Sequence, residues 1–315
     1  MKELLLHIGA PKTGTSHIQR SIILNENSVS RGGYHYLDNL RWHDGAHHLI
    51  SFAIREAKYG GAAFSFKKEF AKLKKEVEKT KNNKFIISTE LLFFTPNEKE
   101  QDRLKQLFSL FDKVKVVVFF REPVAFLNSL FKQMIRDPSD KSAEQPLNFI
   151  TRVAHNLDYK GVIEAYSHLG GEVSSFLYED YDDVSEAFFT QVLDVPLLKV
   201  NKQKANISLD GAGLKIKYAL NSQVEEFELN VQLAEAIKYF QVSLNNKTNI
   251  DMFNDKEKKA IAHVYNQFNG FSDAFPKVNM SQRGIPFLPV SSEMMDRFKN
   301  WLADYNNNLH QNIFG

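Results

Sequence analysis

The sequence predicts an α/β fold: a parallel sheet flanked by helices, with a largely helical C-terminal cap. Three observations lead there. Short apolar runs such as LLL in ELLLHI (3–8) and VVVFF in KVKVVVFF (113–120) lack the polar alternation of half-exposed strands, as expected for strands covered on both faces. Between them lie stretches whose apolar residues recur at helical spacing. After about residue 200 the pattern is mostly helical. Together these predict one domain over 1–315, with a sheet core over 1–200 and a helical cap over 201–315.

The elements follow in order. ELLLHI reads as a buried strand, and TSHIQRSIIL (15–24) as a helix leaving the loop after it. HDGAHHLISFAIREAK (43–58) reads as helical. In FKKEFAKLKKEVEKT (66–80), Phe66, Phe70, Leu73 and Val77 repeat at helical spacing among lysines and glutamates. KFIISTELLFF (84–94) begins as a strand, and NEKEQDRLKQLFSLF (97–111) is a helix. KVKVVVFF is a second buried strand, followed by the helix PVAFLNSLFKQMI (123–135) with proline in its first turn. RDPSDKSAEQP (136–146) reads as an exposed polar loop, and EVSSFLYEDY (172–181) as a further strand. The longer helical pieces of the cap are residues 213–240 and 291–309.

Composition narrows the function. With no Cys in 315 residues there is no disulfide, thiolate nucleophile or sulfur-ligated metal. Forty Lys and Arg against 38 Asp and Glu leave a formal charge of +2, too balanced for a general nucleic-acid binder, so any anion site is local. The start, MKELLLHIGAPKTGTS, lacks the apolar core of a signal peptide, and no run of 18 apolar residues occurs. A cytoplasmic protein without a membrane anchor is expected.

Two stretches carry chemistry. In HIGAPKTGTSHIQ (7–19), Gly9 and Gly14 have the separation of a Walker A loop, which makes the fold P-loop-like. Lys12 stands inside the loop, however, not after Gly14. A strand ends at Ile8 and a helix begins near Thr15, so backbone N–H groups and the positive helix end face the loop. Pro11 shapes the turn, Gly14 permits close approach, Lys12 adds a charge, and Thr13, Thr15 and Ser16 add hydroxyls. In VVVFFREPVAFLNSLF (116–131), Arg121 ends a strand, where ligands of open α/β sheets bind, and Ser129 follows eight residues on. An arginine fork with a hydroxyl suits a second phosphate.

Together these stretches resemble the sulfotransferases that use 3′-phosphoadenosine 5′-phosphosulfate (PAPS). PKTGTS looks like that family's 5′-phosphosulfate loop in its carbohydrate-type form, with Ser16 keeping the hydroxyl. REPVAFLNS resembles its 3′-phosphate motif, and SFLYEDYDDVSEAFFTQVLDV (175–195) its strand-Y-E-D segment and following helix. The second arginine that many relatives carry five positions after the first is Phe126 here. The resemblance implies PAPS as co-substrate and PAP as product, no metal, and an acceptor hydroxyl or amine, in the first instance on a saccharide. It assigns Pro11, Lys12, Thr13, Gly14, Thr15, Ser16, Arg121 and Ser129 to the cofactor. Lys12 would then stabilise charge growing on the leaving 5′-phosphate.

The acceptor must also lose a proton. Glu90, at the end of the second predicted strand, is the candidate general base, and the alternative is that it only orients Lys12 or the acceptor. His47 or His48 would line the acceptor site or replace Glu90 as base. His43 and His47 have a spacing that can hold a metal, but no third ligand is apparent. SQRGIP (281–286) is a possible late loop over the cofactor. Two other readings stay open: a P-loop kinase or other NTP-dependent enzyme, and a nucleotide-bisphosphate-binding module without catalysis.

Overall fold

The computed structural model describes residues 1–315 except 60–61, 141, 200–208, 210, 225, 245–249, 271–273, 281–284, 287–289 and 315. Residues 281–284 of SQRGIP, Arg283 among them, therefore lie outside the described residues. In chain order the strands are β1 (Glu3–His7), β2 (Tyr34–Tyr36), the short pair β3 (Lys58–Tyr59) and β4 (Ala62–Ala63), β5 (Lys84–Ser88), β6 (Lys113–Phe120), β7 (Glu172–Leu177), β8 (Ile250–Asp251) and β9 (Ile285–Pro286). The helices are α1 (Thr15–Leu24), α2 (Glu26–Arg31), α3 (His48–Arg55), α4 (Phe66–Lys79), α5 (Glu98–Phe108), α6 (Pro123–Arg136), α7 (Pro146–Val153), α8 (Tyr159–His168), α9 (Val184–Ala187), α10 (Gly211–Asn221), α11 (Phe227–Ser243), α12 (Asp255–Asn269) and α13 (Ser292–Phe314). This is the predicted α/β class, with helices dominating the C-terminal region.

The chain forms two compact units: residues 1–123, 155–202 and 264–277, and residues 124–154, 203–263 and 278–315. The first contains a five-stranded, wholly parallel sheet of order β2-β5-β1-β6-β7. The continuous apolar runs are explained by burial on both faces. Leu5, Ile86, Val117 and Phe119 share a core with Ile18 and Ile22 of α1 and with Phe188 and Phe189. Their neighbours Leu4, Leu6, Phe85, Ile87, Val116 and Val118 are buried as well. Because β1 lies between β5 and β6, the loops leaving their carboxyl ends are neighbours, and Thr89 N–H donates to His7 O at 2.9 Å. That places the site.

Several boundaries differ from the sequence reading. The helix expected over 43–58 is confined to His48–Arg55, because Gly45 turns the chain with φ 89° and Asp44 Oδ1 accepts the Ala46 N–H at 3.0 Å. His43 and His47 are thus not one turn apart on a helix. The stretch 84–94 begins as a strand, as read, and leaves it after Ser88, where Thr89 Oγ1 accepts the Leu91 N–H and opens a short 3-10 turn. β7 likewise gives way to a 3-10 turn at Tyr178–Asp180, after which α9 passes into a π-helical stretch that buries Phe188 and Phe189. The three residues of β2 and the six of α2 were too short for a periodicity to register.

In the second unit, Phe131 stacks on Phe149 with ring centroids 4.4 Å apart, and Phe253 lies 6.1 Å from Phe131. The polar loop after α6 is tied down, contrary to its reading as an exposed segment. Asn221 Nδ2 donates to Ile135 O and Ser142 O at 2.9 Å each, and Ser142 is buried. Asn221 also receives the fully buried Lys217 Nζ, which donates to Asn230 Oδ1 at 2.7 Å.

Candidate active site

Four adjacent strands each deliver one residue to the carboxyl edge of the sheet: Lys12 after β1, Glu90 after β5, Arg121 after β6 and Glu179 after β7. The β1 loop is built from unusual backbone. Lys12 has φ 68° and Gly14 φ 75°, both left-handed. For a lysine this conformation costs roughly 1–2 kcal/mol, so the surrounding structure must hold it. At Gly14 a Cβ would lie 2.6 Å from Val184 Cγ2, so a side chain there would have to displace Val184.

The hydroxyls of the loop are distributed differently from the sequence expectation. Thr13 Oγ1 donates inward to Ala10 O at 2.6 Å, which ties the turn together and uses its proton. Thr15 is buried, and its Oγ1 makes no hydrogen bond among the described residues. A Cβ on Gly9 would lie 2.8 Å from both Thr15 Oγ1 and His7 Nε2, another buried atom without a partner. Burial drives His7 down to about 3, so its imidazole is neutral, with Nδ1 2.8 Å from Ser88 Oγ. Ser16 is exposed and Pro11 half-buried. No side chain caps α1 and no acidic residue occupies its first turn, which keeps the positive helix end suited to an anion.

Arg121 is anchored on both sides. Tyr159 Oη donates to its carbonyl at 2.8 Å, and Tyr159 stacks on Phe120 at 4.4 Å. The Arg121 guanidinium donates from Nη1 to Lys12 O at 2.8 Å and lies 5.0 Å from the Tyr178 ring centroid. Arginine thus clamps the strained loop residue. Ser129 is half-buried on α6, in the second unit.

At Glu90, one carboxylate oxygen accepts from Gln19 Nε2 at 3.3 Å and the other lies 3.8 Å from His48 Nε2. Gln19 is buried one turn into α1, so Glu90 and the loop between β1 and α1 are joined through one helix. His48 is held by Thr89 Oγ1 at 2.9 Å and by Asp44 Oδ2 at 3.3 Å. His47 is not part of this group. Its Nε2 donates to Leu37 O at 2.8 Å, its Nδ1 accepts the Ser88 N–H at 3.1 Å, and only 1% of it is exposed. Burial outweighs these bonds and lowers His47 to about 4. An acceptor contact at His47 is therefore corrected to a structural role.

Sequence reasoning missed a second carboxylate cluster beside the edge strand. Glu76 accepts from His35 Nε2 at 2.8 Å, from the Asp38 and Asn39 N–H groups at 2.7 and 2.9 Å, and from Asn39 Nδ2 at 2.7 Å. Burial raises its carboxyl, but these four donors prevail and hold it down at about 2. His35, Asp38 and Glu76 bring ligand atoms within 4.8 Å of one another, yet the four bonds already fill the lone-pair positions of Glu76. They anchor the 35–39 turn to α4. Only the distant fold partner identifies this glutamate, so no sequence signal marks it.

Comparison with known proteins adds little. No protein-family model matches the chain, and no curated protein matches it. Among solved structures, a sulfotransferase from Alicyclobacillus acidocaldarius is similar with a TM-score of 0.41 and 15% identity, over 76% of this chain and 96% of that one. A likeness this distant decides nothing about function. Among the described residues, no helix is long and apolar enough to cross a membrane.

Proposed function

We propose that this protein is a sulfotransferase that moves a sulfuryl group from PAPS to a hydroxyl or amine, with a saccharide as the acceptor class to test first. One observation carries the reading. Arg121 and Lys12, assigned to two different phosphates by the PKTGTS and R-x₇-S motifs, meet at the carboxyl edge of adjacent strands through the 2.8 Å Nη1–carbonyl bond. On this reading Pro11, Lys12, Thr13, Gly14, Thr15 and Ser16 surround the 5′-phosphosulfate. Arg121 takes the 3′-phosphate, and the assignment of Ser129 to it rests on spacing alone.

The donor sulfate fits the chemistry of these residues. Glu90 accepts the proton of the acceptor O–H or N–H, and the freed electron pair forms a bond to sulfur. The bond from sulfur to the bridging oxygen breaks, with its electrons passing to the 5′-phosphate of PAP. Lys12 and the α1 N-terminus stabilise that growing charge. Gln19 Nε2 donates to one oxygen of the Glu90 carboxylate at 3.3 Å, and His48 Nε2 lies 3.8 Å from the other.

The kinase reading is disfavoured because Lys12 precedes Gly14 and Thr15 follows it. The experiment is turnover with labelled PAPS over a panel of saccharide, aryl and amine acceptors, in EDTA and in ATP with Mg²⁺. Transfer of label from PAPS in EDTA is the expected result. Turnover only with ATP and Mg²⁺ establishes the kinase, and binding without turnover establishes the module.

A further inference from the structure

Glu179 stands beside the cationic group of the site although the motifs assign it nothing. Its Oε2 accepts the Glu122 N–H at 3.1 Å, and its Oε1 lies 3.6 Å from Arg121 Nε. That separation exceeds a hydrogen bond of N–H to oxygen. The Nε atom is buried and makes no hydrogen bond among the described residues, whereas Nη1 is committed to Lys12 O. The carboxylate therefore offsets the arginine charge without saturating its donors. Glu179 is also 40% exposed at the side chain, so leaving this position returns it to water. The Arg121 backbone does not depend on it, being held by Tyr159.

We propose that Glu179 is the resident counter-anion of a subsite formed by Arg121 and the Glu122 N–H, and that an entering phosphate or sulfate group displaces it. The proposal rests on the reading of Arg121 as an anion-binding residue and adds the group that competes for it. With Glu179 gone, the Arg121 Nε–H and the Glu122 N–H that Glu179 had engaged offer two donors to the oxygens of one tetrahedral anion. Displacement makes anion affinity the difference between two bonded states, so the native carboxylate weakens binding and favours ligands with a doubly charged terminal group over singly charged ones. Glu179 is in this sense an affinity-setting residue, not a catalytic one.

The probe is inorganic phosphate, titrated against the melting temperature at constant ionic strength. Glu179→Gln keeps an acceptor for the Glu122 N–H and removes the charge. Phosphate should bind this variant about tenfold more tightly than wild type, and adding Arg121→Ala should abolish the gain. Unchanged or weaker phosphate binding in Glu179→Gln overturns the proposal, as does a gain that survives Arg121→Ala. Should Glu179→Gln not fold, Glu179→Asp draws the carboxylate back by one methylene and should give a smaller gain, and no gain there is equally adverse. Tighter phosphate binding by Glu179→Gln, with no wild-type preference for PAP over AMP, leaves the counter-anion standing and removes the nucleotide reading. A PAP preference without any gain in the variant removes the counter-anion alone.

Discussion

Arg121 Nη1 donates to the carbonyl oxygen of Lys12 across 2.8 Å, and Lys12 is held in a left-handed conformation with φ 68°. The bond joins the loops that leave two adjacent parallel strands. It makes the proposed catalytic lysine a strained residue, maintained by the residue proposed to bind the cofactor.

Comparing two substitutions at Lys12 separates strain from catalysis. Both Lys12→Ala and Lys12→Gly should lower kcat by roughly 10²–10³, the usual effect of losing one donor to transition-state charge. The glycine variant should be more stable than the alanine variant by about 1 kcal/mol, because only glycine adopts positive φ without cost. Denaturant unfolding of the pair measures this directly. Equal stability would show that the loop relaxes when the side chain is cut back.

Gly14 carries a stronger constraint. An alanine there meets both a positive φ of 75° and Val184 Cγ2 at 2.6 Å. Overpacking and strain together should cost roughly 2–4 kcal/mol. A Gly14→Ala protein with wild-type melting temperature would show that the loop and α9 move apart freely.

Glu90→Gln keeps a partner for Gln19 but cannot take a proton. Turnover should fall by roughly 10²–10⁴, the scale of a general base, with PAP affinity almost unchanged. Near-normal turnover would move the base to His48, which faces Glu90 at 3.8 Å.

Stability should depend on pH through the two buried imidazoles. His7 and His47 are held by burial at about 3 and about 4 in the fold, against 6.5 for an ordinary histidine. Between those values the unfolded chain binds more protons, so their contribution is full above about pH 6.5 and is lost as pH falls. Glu76, at about 2 against 4.5, adds a loss in the same direction within its own lower window. Chemical denaturation from pH 8 to 4 should show a plateau and then a decline beginning near pH 6.5. A plateau extending down to pH 5 would mean that the imidazoles reach water.

Much of this was legible in the sequence. Unbroken apolar runs announce doubly covered strands, and the strand, loop and helix over 3–24 stand where the sequence puts them. That Glu90 neighbours this loop followed only if β1 and β5 pair, which they do. What sequence could not reveal depends on through-space partners. Nothing at position 47 distinguishes a histidine spent on Leu37 and Ser88 from its neighbour His48, which faces a carboxylate. Hydroxyl type is visible at Thr13 and Thr15, but the direction each takes is decided by Ala10 and by burial. Glu179 was read only as part of a motif, because its partners lie 57 and 58 positions earlier in the chain.

The central claim is that the loop and Arg121 form a site for a 3′,5′-bisphosphorylated adenosine, and calorimetric titration with PAP and AMP side by side tests it most directly. The two nucleotides differ by the phosphate assigned to Arg121. One charge-assisted contact is worth about 1.5–3 kcal/mol, so PAP should bind roughly tenfold to a hundredfold more tightly than AMP. Arg121→Ala should remove most of that preference, while any loosening of the Lys12 loop it causes weakens both nucleotides alike. Equal affinity of the wild type for PAP and AMP would contradict the account.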